Sequence, residues 1–254
     1  MVKGDTVNDW RSNWIWRVMM GAWGCLSAAI LCTLCCLAAP IIGPRRAFFG
    51  IGSWWVRQQF SLCGVKWRVD NWEKLPEAIR TEKQPVVFMC NHESLLDPPF
   101  LVTAIPIPAV YIAKKEVRWM PGIGWAVWAA GMIFIDRKNR EKAIAGLKKA
   151  ALEIHGGKNV VIFPEGTRTC DGELGVFKKG GFTLALDAGV PIVPMAIEGA
   201  FGVLPRGTLM PRPGHFNAAF GQPVNPAEFP DRDALMEEVR RRVAELIQGL
   251  RATV

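Results

Sequence analysis

The sequence predicts an α/β fold: a mixed, largely parallel sheet flanked by helices, with an N-terminal membrane-associated helix or helix pair. Two observations carry this. After Arg68, short, continuously apolar runs alternate with helical patterns, as strands covered on both faces require. Before it, Val18 to Pro44 runs 27 residues without a charge, where about 20 suffice to span a bilayer. The expected division is 1–66 for membrane-anchoring helices and 67–254 for an α/β domain.

Tryptophans frame the apolar stretch. Trp10, Trp14, Trp16, Trp23, Trp54, Trp55, Trp67 and Trp72 are eight of the eleven in the chain. Their rings suit the headgroup layer, where the indole N–H stays wet. Lys3, Arg11 and Arg17 precede the stretch, while Arg45, Arg46, Arg57, Lys66 and Arg68 follow it. Positive charge on both flanks fits two arrangements. One is a pair of helices that dips into one leaflet and returns, broken near "APIIGP" before "AFFGIGSWW". The other is a single span. In both, the thiols and the larger basic flank place the α/β part on the cytoplasmic face.

Seven cysteines are an odd number, and Cys25, Cys32, Cys35 and Cys36 share the apolar stretch. That argues against a disulfide framework and for a reducing compartment. Cys32-x-x-Cys35-Cys36 lacks a second ligand pair and reads as small apolar filler. No metal site is expected.

Candidate strands are "PVVFMC" (85–90), "PAVYIA" (108–113), "GMIFID" (131–136), "NVVIFP" (159–164), "PIVPMAIEG" (191–199) and "HFNAAFGQPV" (215–224). Between the third and fourth, Ile144, Leu147, Ala151 and Ile154 mark one helical face, stopped by Gly156–Gly157. "FKKGGFTLALDAGV" gives a short helix ending at Gly189. Leu235, Val239, Val243, Leu246 and Leu250 give a last, core-packing helix.

The net charge of +8 implies anionic partners. With no long Lys/Arg run and no recognition motif, nucleic acid is excluded in favour of phosphorylated substrates or an acidic membrane surface.

The chemistry centres on "CNHESLLDPP" (90–99). A strand ending at Cys90 delivers His92 at its carboxyl end, where open α/β sheets place their sites. If "ESLLD" forms a tight loop or one helical turn, Asp97 can accept the Nδ1–H of His92 and leave Nε2 as a base. A capping aspartate beside a hydrogen-bonded histidine fits the same residues. Three further stretches bear on the choice. "GMIFIDR" ends in Arg137, "FPEGTRT" carries Glu165, Gly166, Thr167 and Arg168, and "VPIVPMAIEG" is a proline-bearing strand. Arginines and a glycine turn at strand ends can gather on one rim and bind phosphate.

These four blocks, in order between about residues 85 and 200, resemble the glycerolipid acyltransferases of the lysophosphatidic acid acyltransferase type. The resemblance implies acyl transfer from a thioester, acyl-CoA or acyl carrier protein, to the free hydroxyl of 1-acyl-glycerol 3-phosphate, giving phosphatidic acid. Other lysolipids, a lysophospholipid or an acylated amino-acid lipid, are alternative acceptors, and a non-catalytic membrane-binding homologue is the alternative from a different class. It implies His92 as general base, Asp97 as its orienting partner, and Glu165 to Arg168 with Arg137 around the glycerol phosphate. Lys114 of "IAKKEV" matches a family lysine near that phosphate, with Lys115 as its rival. No cofactor beyond the thioester co-substrate is implied, and the expected partners are the bilayer, the lysolipid and the acyl donor. Glu165 can equally tie down its own turn through backbone N–H groups. Cys90, by its strand position, is a packed thiol, and Glu93 and Ser94 read as solvent-facing or locally capping. His155 and His215 receive no role.

Overall fold

The computed structural model describes residues 10–120, 123–136 and 139–253. Helix α1, Trp14–Ile42, starts at Asn13, whose side chain accepts from the Ile15 N–H at 2.9 Å. It contains Pro40 and ends at Gly43, where a φ of +86° suits a residue without a Cβ. The chain then reverses. Helix α2, Pro44–Arg46, a π-helical turn, Ala47–Ile51, and helix α3, Gly52–Cys63, run on without a break. Trp55 Nε1 donates to Ser27 Oγ at 3.0 Å, fastening α3 to α1. The N-terminal segment is thus a helix pair.

The two helices differ in what they bury. Trp14, Val18, Leu26, Leu34, Leu37 and Ile41 leave α1 with a large exposed apolar surface, and it is long and apolar enough to cross a membrane. On α3, Val56, Phe60 and Cys63 enter the main core. The Phe60 ring stacks on Phe100 at 5.7 Å.

Strand β1, Val65–Asp70, follows directly and was not among the expected strands. Its alternation is irregular and it carries Lys66, Arg68 and Asp70, so only pairing with β7 reveals it. The division at residue 66 falls inside this strand. Helix α4, Glu77–Arg80, leads to β2, Val87–Cys90; α5, Asp97–Ala104, precedes β3, Ala109–Lys114. A 3₁₀ turn, Lys115–Trp119, and α6, Ile123–Ala129, lead to β4, Ile133–Ile135. Then come α7, Arg140–His155; β5, Asn159–Ile162; α8, Lys179–Ala188; and β6, Ile192–Glu198. Helix α9, Ala200–Val203, strand β7, Gly214–Phe220, and helix α10, Arg232–Arg251, complete the chain.

The strands form one seven-stranded sheet in the order β1-β7-β6-β2-β5-β3-β4. Only β6 and β7 pair antiparallel, so β6, β2, β5, β3 and β4 share one direction. Every residue of β2 and β5 is buried, as expected for parallel strands covered on both faces. Helices α7, α8 and α10 pack together against the sheet, and α3 and α5 pack beside β1. Two sequence expectations need adjustment. On α7, Ala151 and Ile154 are buried and Leu147 packs against the core as expected, with Ala150 beside them, but Ile144 is exposed. Strand β7 stops at Phe220, and Val224 only bridges to Ile192.

Candidate active site

Because five strands run parallel, the loops after β2, β5, β3 and β4 all leave from one rim of the sheet. The central strand β2 supplies the base. As its main chain leaves the sheet, the Asn91 side chain takes over the ladder, accepting from Ile197 N–H at 2.7 Å and donating to its carbonyl at 2.8 Å. His92 is therefore held at a fixed height above the strand end.

Its backbone is tied on both sides to the loop after β5. The His92 N–H donates to Glu165 Oε1 at 2.8 Å, and its carbonyl accepts from Thr169 N–H at 2.8 Å. Its ring stacks on Phe163, centroids 4.1 Å apart, and Nδ1 lies 2.7 Å from Asp97 Oδ2. Asp97 opens α5, where Pro98 and Pro99 need no N–H partner. The same Oδ2 accepts from the Glu93 and Ser94 N–H groups at 2.7 and 2.8 Å. Asp97 is fully buried. An acceptor so placed holds the proton on Nδ1 and leaves Nε2 with its lone pair. The His92 side chain keeps 17 % exposure, so that lone pair can meet a substrate.

The "ESLLD" segment forms the tight loop that the spacing allows. Glu93 and Ser94 are not solvent-facing: both are buried and bind distant segments, while Ser94 Oγ also caps locally, accepting from Leu96 N–H at 3.2 Å. Ser94 Oγ donates to the Leu204 carbonyl at 2.9 Å, and Glu93 Oε2 accepts from Phe201 N–H at 3.0 Å. The physical reason is the position of the loop, pressed between β2 and the start of α9. Burial pushes the Glu93 carboxyl up to about 8; nearby Asp97 and Glu198 add to this, and the Phe201 N–H opposes it.

Glu165 uses both carboxylate oxygens on backbone, taking the Gly175 N–H at 2.9 Å besides that of His92. Burial raises its pKa, against the pull of those two N–H groups. Of its two sequence readings, the geometry places it in the tie-down. The turn closes with Gly166 N–H on the Phe163 carbonyl at 3.0 Å, at a Gly166 φ of +70°. A Cβ on Gly166 would lie 2.8 Å from Lys178 Nζ, so the lysine side chain is laid across this glycine. Lys178 N–H anchors it by donating to the Pro164 carbonyl at 2.8 Å. Thr167 is exposed and Arg168 half-exposed beside it. Among the described residues, no carboxylate pairs with Arg168 or Lys178.

Lys114, at the end of β3, is exposed and 3.9 Å from Glu116. Lys115 instead holds Asp136 at 2.6 Å, which separates the two lysines by geometry. Arg137 lies outside the described residues. Cys90 is fully buried, and its thiol pKa is driven well above the usual value, first by burial and then by the carboxylates of Asp97, Glu93 and Glu165. It is a packed thiol rather than a nucleophile. His155 and His215 are exposed at the surface.

Sequence reasoning gave no role to Asn91, Phe163 or Lys178. The first two lie inside the stretches "CNHESLLDPP" and "FPEGTRT". Lys178 lies ten residues beyond Arg168 in "FKKGG", where it reads as the start of a helix.

Known proteins share this sequence pattern and this fold. A family model described as Acyltransferase matches residues 66–198. The chain is 39 % identical over 144 residues to a 1-acyl-sn-glycerol-3-phosphate acyltransferase of Limnanthes alba, covering 56 % of this chain and 51 % of that protein. It is 43 % identical over 116 residues to the human 1-acyl-sn-glycerol-3-phosphate acyltransferase alpha, covering 45 % and 41 %. The chain thus spans about half the length of the curated relatives it matches. The crystal structure of PlsC, the 1-acyl-sn-glycerophosphate (LPA) acyltransferase from Thermotoga maritima, superposes with a TM-score of 0.82 at 23 % identity. That superposition covers 94 % of this chain and 97 % of that one, and it establishes the fold. Since the family match takes in more than half of its residues, the chain belongs to the acyltransferase family.

Proposed function

We propose that the protein transfers an acyl group from a thioester, acyl-CoA or acyl carrier protein, to the free hydroxyl of 1-acyl-glycerol 3-phosphate, forming phosphatidic acid. The observation that carries this is His92 paired with the buried Asp97, 2.7 Å apart, on the same rim as the cationic turn of Arg168 and Lys178. The acceptor is the one in the names of the relatives from Limnanthes alba and human.

A lipid hydroxyl is a weak nucleophile near neutral pH. As its oxygen attacks the thioester carbonyl carbon, His92 Nε2 takes its proton, an effect worth about 10²–10⁴-fold. Asp97 stabilises the imidazolium that forms. When the tetrahedral intermediate collapses, the C–S bond breaks and the thiolate leaves with that proton. This is the logic of a Ser-His-Asp triad in which the substrate provides the hydroxyl. Arg168, Lys178 and Lys114 bind the phosphate, with Gly166 and Thr167 forming the turn beneath it, Arg137 contributing from after β4, and Glu165 holding turn and base in register. The helix pair seats the protein on a bilayer with the α/β domain on the cytoplasmic face. The exposed apolar surface of α1 supports the contact with a bilayer, and the thiols with the larger basic flank support the cytoplasmic face.

The test is a micelle assay with labelled acyl-CoA and three acceptors: 1-acyl-glycerol 3-phosphate, glycerol 3-phosphate and a zwitterionic lysophospholipid. Transfer to the first that disappears in His92→Ala is expected. Preference for the third would discard the phosphatidic-acid reading and keep the chemistry. Full activity in a folded His92→Ala variant would remove the mechanism.

A further inference from the structure

We propose that the segment formed by the 3₁₀ turn Lys115–Trp119 and helix α6 is a second lipid-contacting element, built into the α/β domain and seated in the headgroup layer beside α1. The inference rests on the membrane placement proposed above and extends it beyond the N-terminal helix pair.

Three tryptophans carry it. Trp119, Trp125 and Trp128 are 81 %, 64 % and 58 % exposed, and Met120 is exposed among them. Trp125 and Trp128 are three apart on α6, so they share a helix face. Tryptophan is costly to leave in water over so large a ring area, yet its N–H disfavours a dry interior; the membrane interface satisfies both.

The occupant follows from what this segment adjoins. Ala126, between the two helical tryptophans, is buried against Leu31 and Cys35 of α1. The exposed tryptophan face is therefore continuous with α1, a helix whose length and composition suit a bilayer. Charge agrees with an anionic lipid surface. Arg118 lies with its guanidinium 5.9 Å from the Trp128 ring centroid, and Lys114 is exposed at the start of the turn. The unit is tightly packed: a Cβ on Gly124 would approach the Arg118 carbonyl oxygen to 2.2 Å, so only glycine lets α6 fold back on the turn. The 3₁₀ turn also leaves from the carboxyl end of β3, the rim that carries His92 and the Gly166 turn. A lipid acceptor can then pass from the bilayer to the base without crossing bulk water.

The experiment is flotation of the purified full chain with phosphatidylcholine vesicles containing about 20 % anionic lipid. It compares wild type, a Trp119→Ser/Trp125→Ser/Trp128→Ser variant, and a Leu152→Ser/Val176→Ser control that removes two equally exposed apolar residues elsewhere. The expected result is partitioning weakened about tenfold or more in the tryptophan variant alone. Hydrogen exchange on wild type, which needs no substitution, should show amides of 115–120 and 123–129 protected when vesicles are added. Wild-type flotation with an unaffected tryptophan variant and no protection would overturn the inference and leave the membrane placement standing. Failure of wild type to float would overturn both. A dimer that the tryptophan variant splits, with vesicle binding unchanged, would assign the face to a second copy of the chain and likewise overturn the inference.

Discussion

His92 and Phe163 lie ring on ring, with centroids 4.1 Å apart and planes 20° from parallel. The phenyl face both fixes the imidazole plane along its bond to Asp97 and favours the cation that forms when Nε2 takes a proton. Such ring pairs contribute about 0.5–1.5 kcal/mol, so Phe163→Leu should lower kcat about three- to tenfold and leave the acceptor KM unchanged. Steady-state kinetics in micelles decide this. A loss confined to KM would show that Phe163 contacts substrate instead.

Asp97→Asn keeps the shape and one acceptor for the Glu93 and Ser94 N–H groups, and removes the charge facing the imidazolium. By analogy with triad carboxylates, kcat should fall on the order of 10³–10⁴-fold. Circular dichroism should show the fold retained. A loss below about tenfold would reduce Asp97 to a loop-capping residue.

Glu93 makes stability depend on pH. Burial holds its carboxyl at about 8 in the folded protein, above its ordinary 4.5. Between those values the folded state binds the proton more tightly than the unfolded chain, so stability falls as pH rises from about 4.5 through 8. Glu93→Gln removes that titration. Between about pH 5 and 8, the wild-type Tm should drop by several degrees more than that of the variant. Parallel Tm curves would place the Glu93 carboxyl at an ordinary value.

Lys178→Met should raise the KM for 1-acyl-glycerol 3-phosphate about 10–100-fold, the loss of one charge-assisted contact of roughly 1.5–3 kcal/mol. Lys178→Arg should recover part of this, and kinetics with a phosphate-free monoacylglycerol acceptor should not change. Arg168→Met should behave alike. An unchanged KM for the phosphate-bearing acceptor in Lys178→Met would take that lysine out of the site.

Gly166→Ala tests why the turn needs glycine. The φ of +70° strains any L side chain, and the added Cβ displaces the Lys178 side chain from 2.8 Å. We expect a stability loss of about 1–3 kcal/mol together with a raised acceptor KM. Loss of stability without a change in KM would separate the turn from phosphate binding.

The fold class, the long apolar helix and the motif residues were legible in the sequence because each rests on local information. Continuous apolar runs such as "VFMC" declare buried strands, and 27 uncharged residues declare a lipid-scale helix. The spacing from His92 to Asp97 allowed their contact, and five residues of tight loop deliver it at 2.7 Å. Long-range pairing was invisible. Strand β1 exists through β7, some 150 residues away, and its own mixed polarity says little. Likewise Glu93 and Ser94 look like surface residues until α9 and the Leu204 carbonyl close over them, and Lys178 joins the Gly166 turn only by folding back across it. Sequence alone determined which residues could do the chemistry, since side-chain type and local spacing decide that. Tertiary structure decided which of them meet, because a parallel sheet brings strand ends from distant segments to one rim, and no local pattern encodes strand order.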